Sequence, residues 1–115
     1  MHLVHVADGE TRTLATDVSI AASFRQKLQG VMFRSSLPAS YGLVFPFEAA
    51  KKRGVHMLFV RVPIDVLWLV DETVTAVTRL QPWTGFERHR ADRIVELPAG
   101  AADAVSPGDR VELRE

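Results

Sequence analysis

The chain contains no cysteine. That excludes disulfides, zinc–thiolate and iron–sulfur centres, and a cysteine nucleophile. It also lacks a surplus of either charge: 14 Lys plus Arg stand against 14 Asp plus Glu, for a formal net charge of zero. A balanced chain exerts no long-range pull on nucleic acid or on an anionic membrane, and neither partner is expected. No Gly-rich phosphate loop precedes a helix, and no Gly-x-Ser-x-Gly elbow is present. The four histidines, His2, His5, His56 and His89, are scattered without chelating spacing. No metal and no cofactor is therefore expected. The start, MHLVHVADGE, has neither the basic head nor the apolar core of a signal peptide, so the expectation is cytoplasmic. The most apolar run, residues 55–70, is shorter than a membrane span and carries Arg61 and Asp65.

What is present is strand-forming sequence. At 115 residues and 47% hydrophobic content, one domain over 1–115 with a real core is expected. HLVHV is followed by Asp8-Gly9, a strong hairpin signal, with a return strand over about Thr11 to Ile20. Ser23 and Gln26 form a capping box, Phe24 and Leu28 share a face, and Gly30 is a natural stop, which predicts a short helix. YGLVFPF reads as a strand ended by Pro46, EAAKKRG as a polar connection, and QPWTGFERHRAD as an irregular loop. TVTAVTRL, RIVELPAG and RVELR read as further strands, with a turn at SPGD. The expected class is α+β: a β-dominated, partly closed barrel-like sheet with one short helix.

HMLFVRVPIDVLWLV, residues 56–70, poses the main question. Read as one strand, its even positions, from His56 to Val70, form an almost wholly apolar face. The odd positions put Arg61 and Asp65 together on the other face, roughly 13 Å apart and beyond salt-bridge reach. Pro63 argues for a bend there. Asp65 then has two structural roles open to it: accepting backbone N–H groups of the bend, or pairing with a cation on a neighbouring strand.

Three motifs give the chain a resemblance. Gly30-Val31-Met32-Phe33-Arg34 is similar to a Gly-Leu-Met-Phe-Arg motif. His56-Met57 with Val62-Pro63-Ile64-Asp65-Val66 is similar to Trp-Met or His-Met followed by Ile-Pro-Leu-Asp. Val95-Glu96-Leu97-Pro98-Ala99-Gly100 precedes Gly108-Asp109-Arg110-Val111. In this order they resemble the domain of unknown function 192 family. The chain departs at Val31, and at Leu58-Phe59-Val60, where many relatives have Lys-Asn-Thr. The resemblance implies a compact barrel-like β-rich domain and no established activity.

The functional expectation is a non-enzymatic binding or accessory module for a small polar or anionic ligand, or a peptide. Its site would gather Arg34, His56, Arg61, Asp65 and Trp83 at the barrel mouth, with the two guanidiniums offering a fork for a carboxylate or phosphate. One alternative is an enzyme using His56 with Asp65 or Glu96 as acid and base. Another is a protein–protein module, which an exposed apolar patch near Trp83 would favour. Burial as a lid is the expectation for Trp83 itself. Glu96 reads as an exposed strand residue, and Lys51-Lys52-Arg53 and Arg88-His89-Arg90 as solvated clusters.

Overall fold

The computed structural model describes residues 1–21 and 34–115. The described residues form one sheet of eight strands: β1 (His2–Ala7), β2 (Glu10–Ala15), β3 (Asp17–Ile20), β4 (Tyr41–His56), β5 (Ile64–Val70), β6 (Thr73–Leu80), β7 (Phe86–Pro98) and β8 (Arg110–Arg114). Their order across the sheet is β2-β1-β8-β6-β5-β7-β4-β3. No helix occurs among these residues, so the α+β expectation is corrected to an all-strand architecture. The helix expected over Ser23 to Gly30 lies outside the described residues.

The expected barrel closure is also corrected, because the sheet is open. The reason lies at Thr16. The return strand expected as one piece divides there into β2, which pairs with β1, and β3, which pairs in parallel with β4. The amides of Thr16 and Asp17 both donate to the carbonyl of Ser40, at 3.1 and 2.9 Å. The sheet's two edge strands are thus consecutive in the chain, one pairing with β1 and the other with β4.

Two tight turns form where sequence chemistry allows left-handed backbone. Asp8 and Gly9 have φ of 52° and 77° and join β1 to β2. Asp71 and Glu72, at 49° and 67°, join β5 to β6. Paired positive φ values match the twist of the flanking strands.

β5 is the centre of the molecule. Ile64, Val66 and Trp68 point into one apolar cluster, and Leu67 and Leu69 into a second on the opposite face. The first cluster is covered by an arm. β4 does not end at Pro46, as expected, but breaks register between Pro46 and Lys51 and continues to His56. β7 likewise begins at Phe86, inside the stretch read as a loop. Lys51 to His56 pairs with Phe86 to Ala91, and this two-stranded arm lies over β5 and β6. Val55 and Ala91 join the first cluster, Trp68 Nε1 donates to the Arg53 carbonyl at 3.0 Å, and the Thr75 hydroxyl donates to the Arg90 carbonyl at 2.7 Å. The second cluster is covered by Leu3, Ala15 and Val111 and by Ala102 and Val105 of the β7–β8 connection.

Candidate functional site

The stretch 56–70 is not one strand. β4 stops at His56, residues 57–63 turn, and β5 starts immediately after Pro63. Asp65 is the second residue of β5 and is buried on the face of Leu67 and Leu69. Its Oδ1 accepts from Arg79 Nε at 2.9 Å. Its Oδ2 accepts from the amides of Gly100 and Ala102, both at 3.0 Å. Arg79 stands opposite Asp65 on β6 and reaches on to Asp103 at 2.6 Å. The acid therefore does take a cation from a neighbouring strand. Its backbone donors come from the β7–β8 connection rather than from its own bend. The two amide bonds hold that connection over the second cluster, and the hydrogen bonds that Arg79 makes to Asp65 and to Asp103 raise its already high pKa.

The other expected site residues lie elsewhere. The Arg34 guanidinium sits 4.8 Å from the centroid of the Tyr41 ring. Arg61 is exposed in the turn before β5. His56 ends β4, and its Nδ1 accepts the Leu58 amide at 3.3 Å. Trp83 is not a lid but half exposed. His56 and Trp83 are brought to the same end of the molecule. The turns that follow and contain them are laced together, with Met57 N donating to Gly85 O at 2.9 Å and Trp83 N donating to Met57 O at 3.0 Å and Val60 O at 3.2 Å. Met57 and Val60 belong to the first cluster, so this end lies on the face of β5 opposite to Asp65.

The laced turns make a platform. Leu58, Phe59 and Trp83 are 50%, 39% and 51% exposed, and Phe86, the first residue of β7, lies outside the platform. Phe59 and Trp83 meet edge to face, with centroids 5.5 Å apart. Both occupy left-handed backbone, at φ 63° and 66°. An L residue with a Cβ pays roughly 1–2 kcal/mol for that conformation, so the surrounding hydrogen bonds must hold it. Gly85 completes the lacing, since a Cβ there would stand 2.8 Å from Gln81 O and 2.8 Å from Met57 Cγ.

Two further polar groups stand away from Asp65: one that sequence reasoning missed, and one that it read as exposed. His5 is buried, and its Nε2 is 2.8 Å from Asp109 Oδ2. That bond, followed by the Ser106 amide, lowers the pKa of the Asp109 carboxyl. Glu96 is not exposed but buried between Leu43 of β4 and Val66 of β5. Burial pushes its carboxyl up to about 7, and its Oε1 has no partner among the described residues. Its charge adds to burial in raising the Tyr41 hydroxyl, while Arg34 opposes both. An acid in an alternating strand reads as solvent-facing. Only the knowledge that β7 lies between β4 and β5 reveals otherwise.

Over the described residues, fold and surface together define an eight-stranded domain with a buried core and an exposed aromatic platform. The chain belongs to the domain of unknown function 192 family, described as "Uncharacterized ACR", whose model matches residues 4–113. It is 36% identical over 107 residues to a UPF0127 protein of Pyrococcus furiosus, covering 88% of this chain and 90% of that one. In structure it is similar to a Sinorhizobium meliloti 1021 protein described as a "putative transcription regulator", with a TM-score of 0.84 at 27% identity, covering 96% of this chain and 92% of that one. A protein of unknown function from Novosphingobium aromaticivorans DSM 12444 shares the fold, with a TM-score of 0.81 at 19% identity, over 97% of this chain and 84% of that one. No helix among the described residues is long and apolar enough to cross a membrane.

Proposed function

We propose that this domain is a protein-interaction module that holds a peptide segment of a partner on the platform of Leu58, Phe59 and Trp83. One observation carries the reading: two aromatic side chains stay partly exposed on left-handed backbone, within turns that hydrogen bonds tie together. Strain retained to expose apolar rings serves contact rather than folding. Rigid aromatics also lose little conformational entropy when a partner covers them.

Two sequence-based readings receive less support. A polar-ligand site needs Asp65 accessible, and both its oxygens are engaged inside the protein. For an acid–base pair of His56 with Asp65 or Glu96, the alternation of β5 puts Asp65 on the side away from His56, and Glu96 is buried between Leu43 and Val66.

Selection of a displayed random-peptide library on the wild-type chain tests the proposal. The expected result is a consensus with one or two apolar anchors whose binding is lost in Phe59→Ser and Trp83→Ser. A consensus that binds both variants as well as wild type would overturn it.

A further inference from the structure

The clusters Lys51-Lys52-Arg53 and Arg88-His89-Arg90 lie far apart in the chain, and the arm brings them together. Register sets Lys52 opposite Arg90, Gly54 opposite Arg88 and His56 opposite Phe86. Directly opposed residues of an antiparallel pair project to the same side, and all six are exposed. The alternate residues turn inward. His89 meets the Trp68 ring at 4.7 Å between centroids, and Glu87 accepts from the Thr78 hydroxyl at 3.0 Å and lies 2.8 Å from His89 Nε2. Glu87 is the one acid within 51–56 and 86–91. The outward side of the arm therefore carries three permanent cations, a histidine and an aromatic ring, and no carboxylate. No ion pair engages Lys52, Arg88 or Arg90 among the described residues.

Stability does not ask for this arrangement, because like charges directly opposite each other across strands are unfavourable. The ring is placed as deliberately as the charges. Phe86 reaches across to the neighbouring strand, where a Cβ on Gly54 would stand 3.0 Å from its Cε2 and 3.1 Å from its Cζ. The missing side chain makes room for the ring, and 60% of Phe86 still faces water. Same-side residues along a strand stand roughly 6.7 Å apart, a step suited to the backbone of an extended polyanion. The zero net charge of the chain conceals this segregation.

We propose that the outward face of the arm binds single-stranded nucleic acid without sequence preference, Lys52, Arg88 and Arg90 meeting phosphates while Phe86 stacks on a base. An acidic peptide would use the cations but give the open ring no role. A duplex would offer phosphates but keep its base faces stacked inside. Stacking on an aromatic beside a basic groove is the general chemistry of sequence-tolerant single-strand recognition. The residues differ from the Leu58, Phe59 and Trp83 platform, so the two proposals stand or fall separately.

The test is fluorescence anisotropy of a labelled oligothymidine titrated with the full chain at several salt concentrations. Binding is expected in the micromolar range at low salt, with log K falling against log salt at a slope of about −2 for three phosphate contacts. The double variant Arg88→Gln, Arg90→Gln should reduce that slope in magnitude by about 1.4. Phe86→Ala should weaken binding at least about fivefold, with Phe86→Tyr restoring it. Thermal melts identify any variant that fails to fold, and the arginine pair then decides alone. No binding by wild type would overturn the proposal. So would equal affinity for the matching duplex, or competition by polyglutamate as effective as by unlabelled oligonucleotide.

Discussion

Asp65 on β5 and Arg79 on β6 stand directly opposite one another, with Nε 2.9 Å from Oδ1, and Arg79 continues to Asp103 on the β7–β8 connection. Asp65 is 3% exposed and serves two backbone amides besides the arginine. Asp65→Ala strands these donors. The expected loss in urea melts is at least about 1–3 kcal/mol, the usual cost of an unsatisfied buried partner. Arg79→Ala should cost less, because Asp65 keeps both amides. Asp71→Asn, at an exposed turn position whose left-handed backbone Asn tolerates, should change little. A similar small loss for Asp65→Ala and Asp71→Asn would show that Asp65 does not hold the connection.

Glu96 predicts a pH dependence. Burial raises its carboxyl from an ordinary value of 4.5 to about 7. Below about pH 4.5 the folded and unfolded chains both hold the proton, and no penalty exists. Between 4.5 and 7 the folded chain binds more protons than the unfolded one, so stability falls as pH rises. Above 7 the loss is complete, on the order of 3 kcal/mol. Glu96→Gln should remove this fall and be more stable than wild type at pH 8. Parallel pH profiles for the two proteins would contradict the buried placement of the carboxyl.

Gly85 sets the platform. A Cβ there meets backbone at Gln81 and the side chain of Met57. Gly85→Ala should destabilise by about 1–3 kcal/mol, the scale of overpacking. It should also perturb the amide signals of Met57 and Trp83. An unchanged melting temperature and unchanged signals would mean that the turns are not packed as described.

Much of the sheet was legible where local chemistry decides. Asp8-Gly9, Thr73–Leu80 and Arg110–Arg114 carry turn and strand signals that need no tertiary context. Pro63 marks the start of β5, and the apolar context of Asp65 pointed to a structural role. The arm was not legible. Pro46 reads as a strand end, yet it falls at a register break where a missing donor is tolerated. Lys52 and Arg90 read as loop because their inward neighbours, Arg53 and His89, are polar too, so alternation is hidden until Trp68 is seen between them. Arg79 was not legible as the partner of Asp65, since strand register chose it. Trp83 defied the preference of large rings for the interior because its backbone is held by Met57 and Val60.

The two tryptophans provide an optical check. Trp68 is fully buried and Trp83 half exposed. Wild type should show acrylamide-quenchable, red-shifted emission that disappears in Trp83→Phe, leaving a blue-shifted, quench-resistant component. Quench-resistant emission from both residues would place Trp83 as a lid.

The proposed partner contact lies at the laced turns. Amide shift mapping with the consensus peptide from library selection tests it most directly. Perturbations are expected at residues 57–60 and 81–85, with Asp65, Gly100 and Ala102 unmoved. Perturbations centred on Arg34, Tyr41 and Glu96, with the 57–60 and 81–85 signals in place, would contradict the proposed contact.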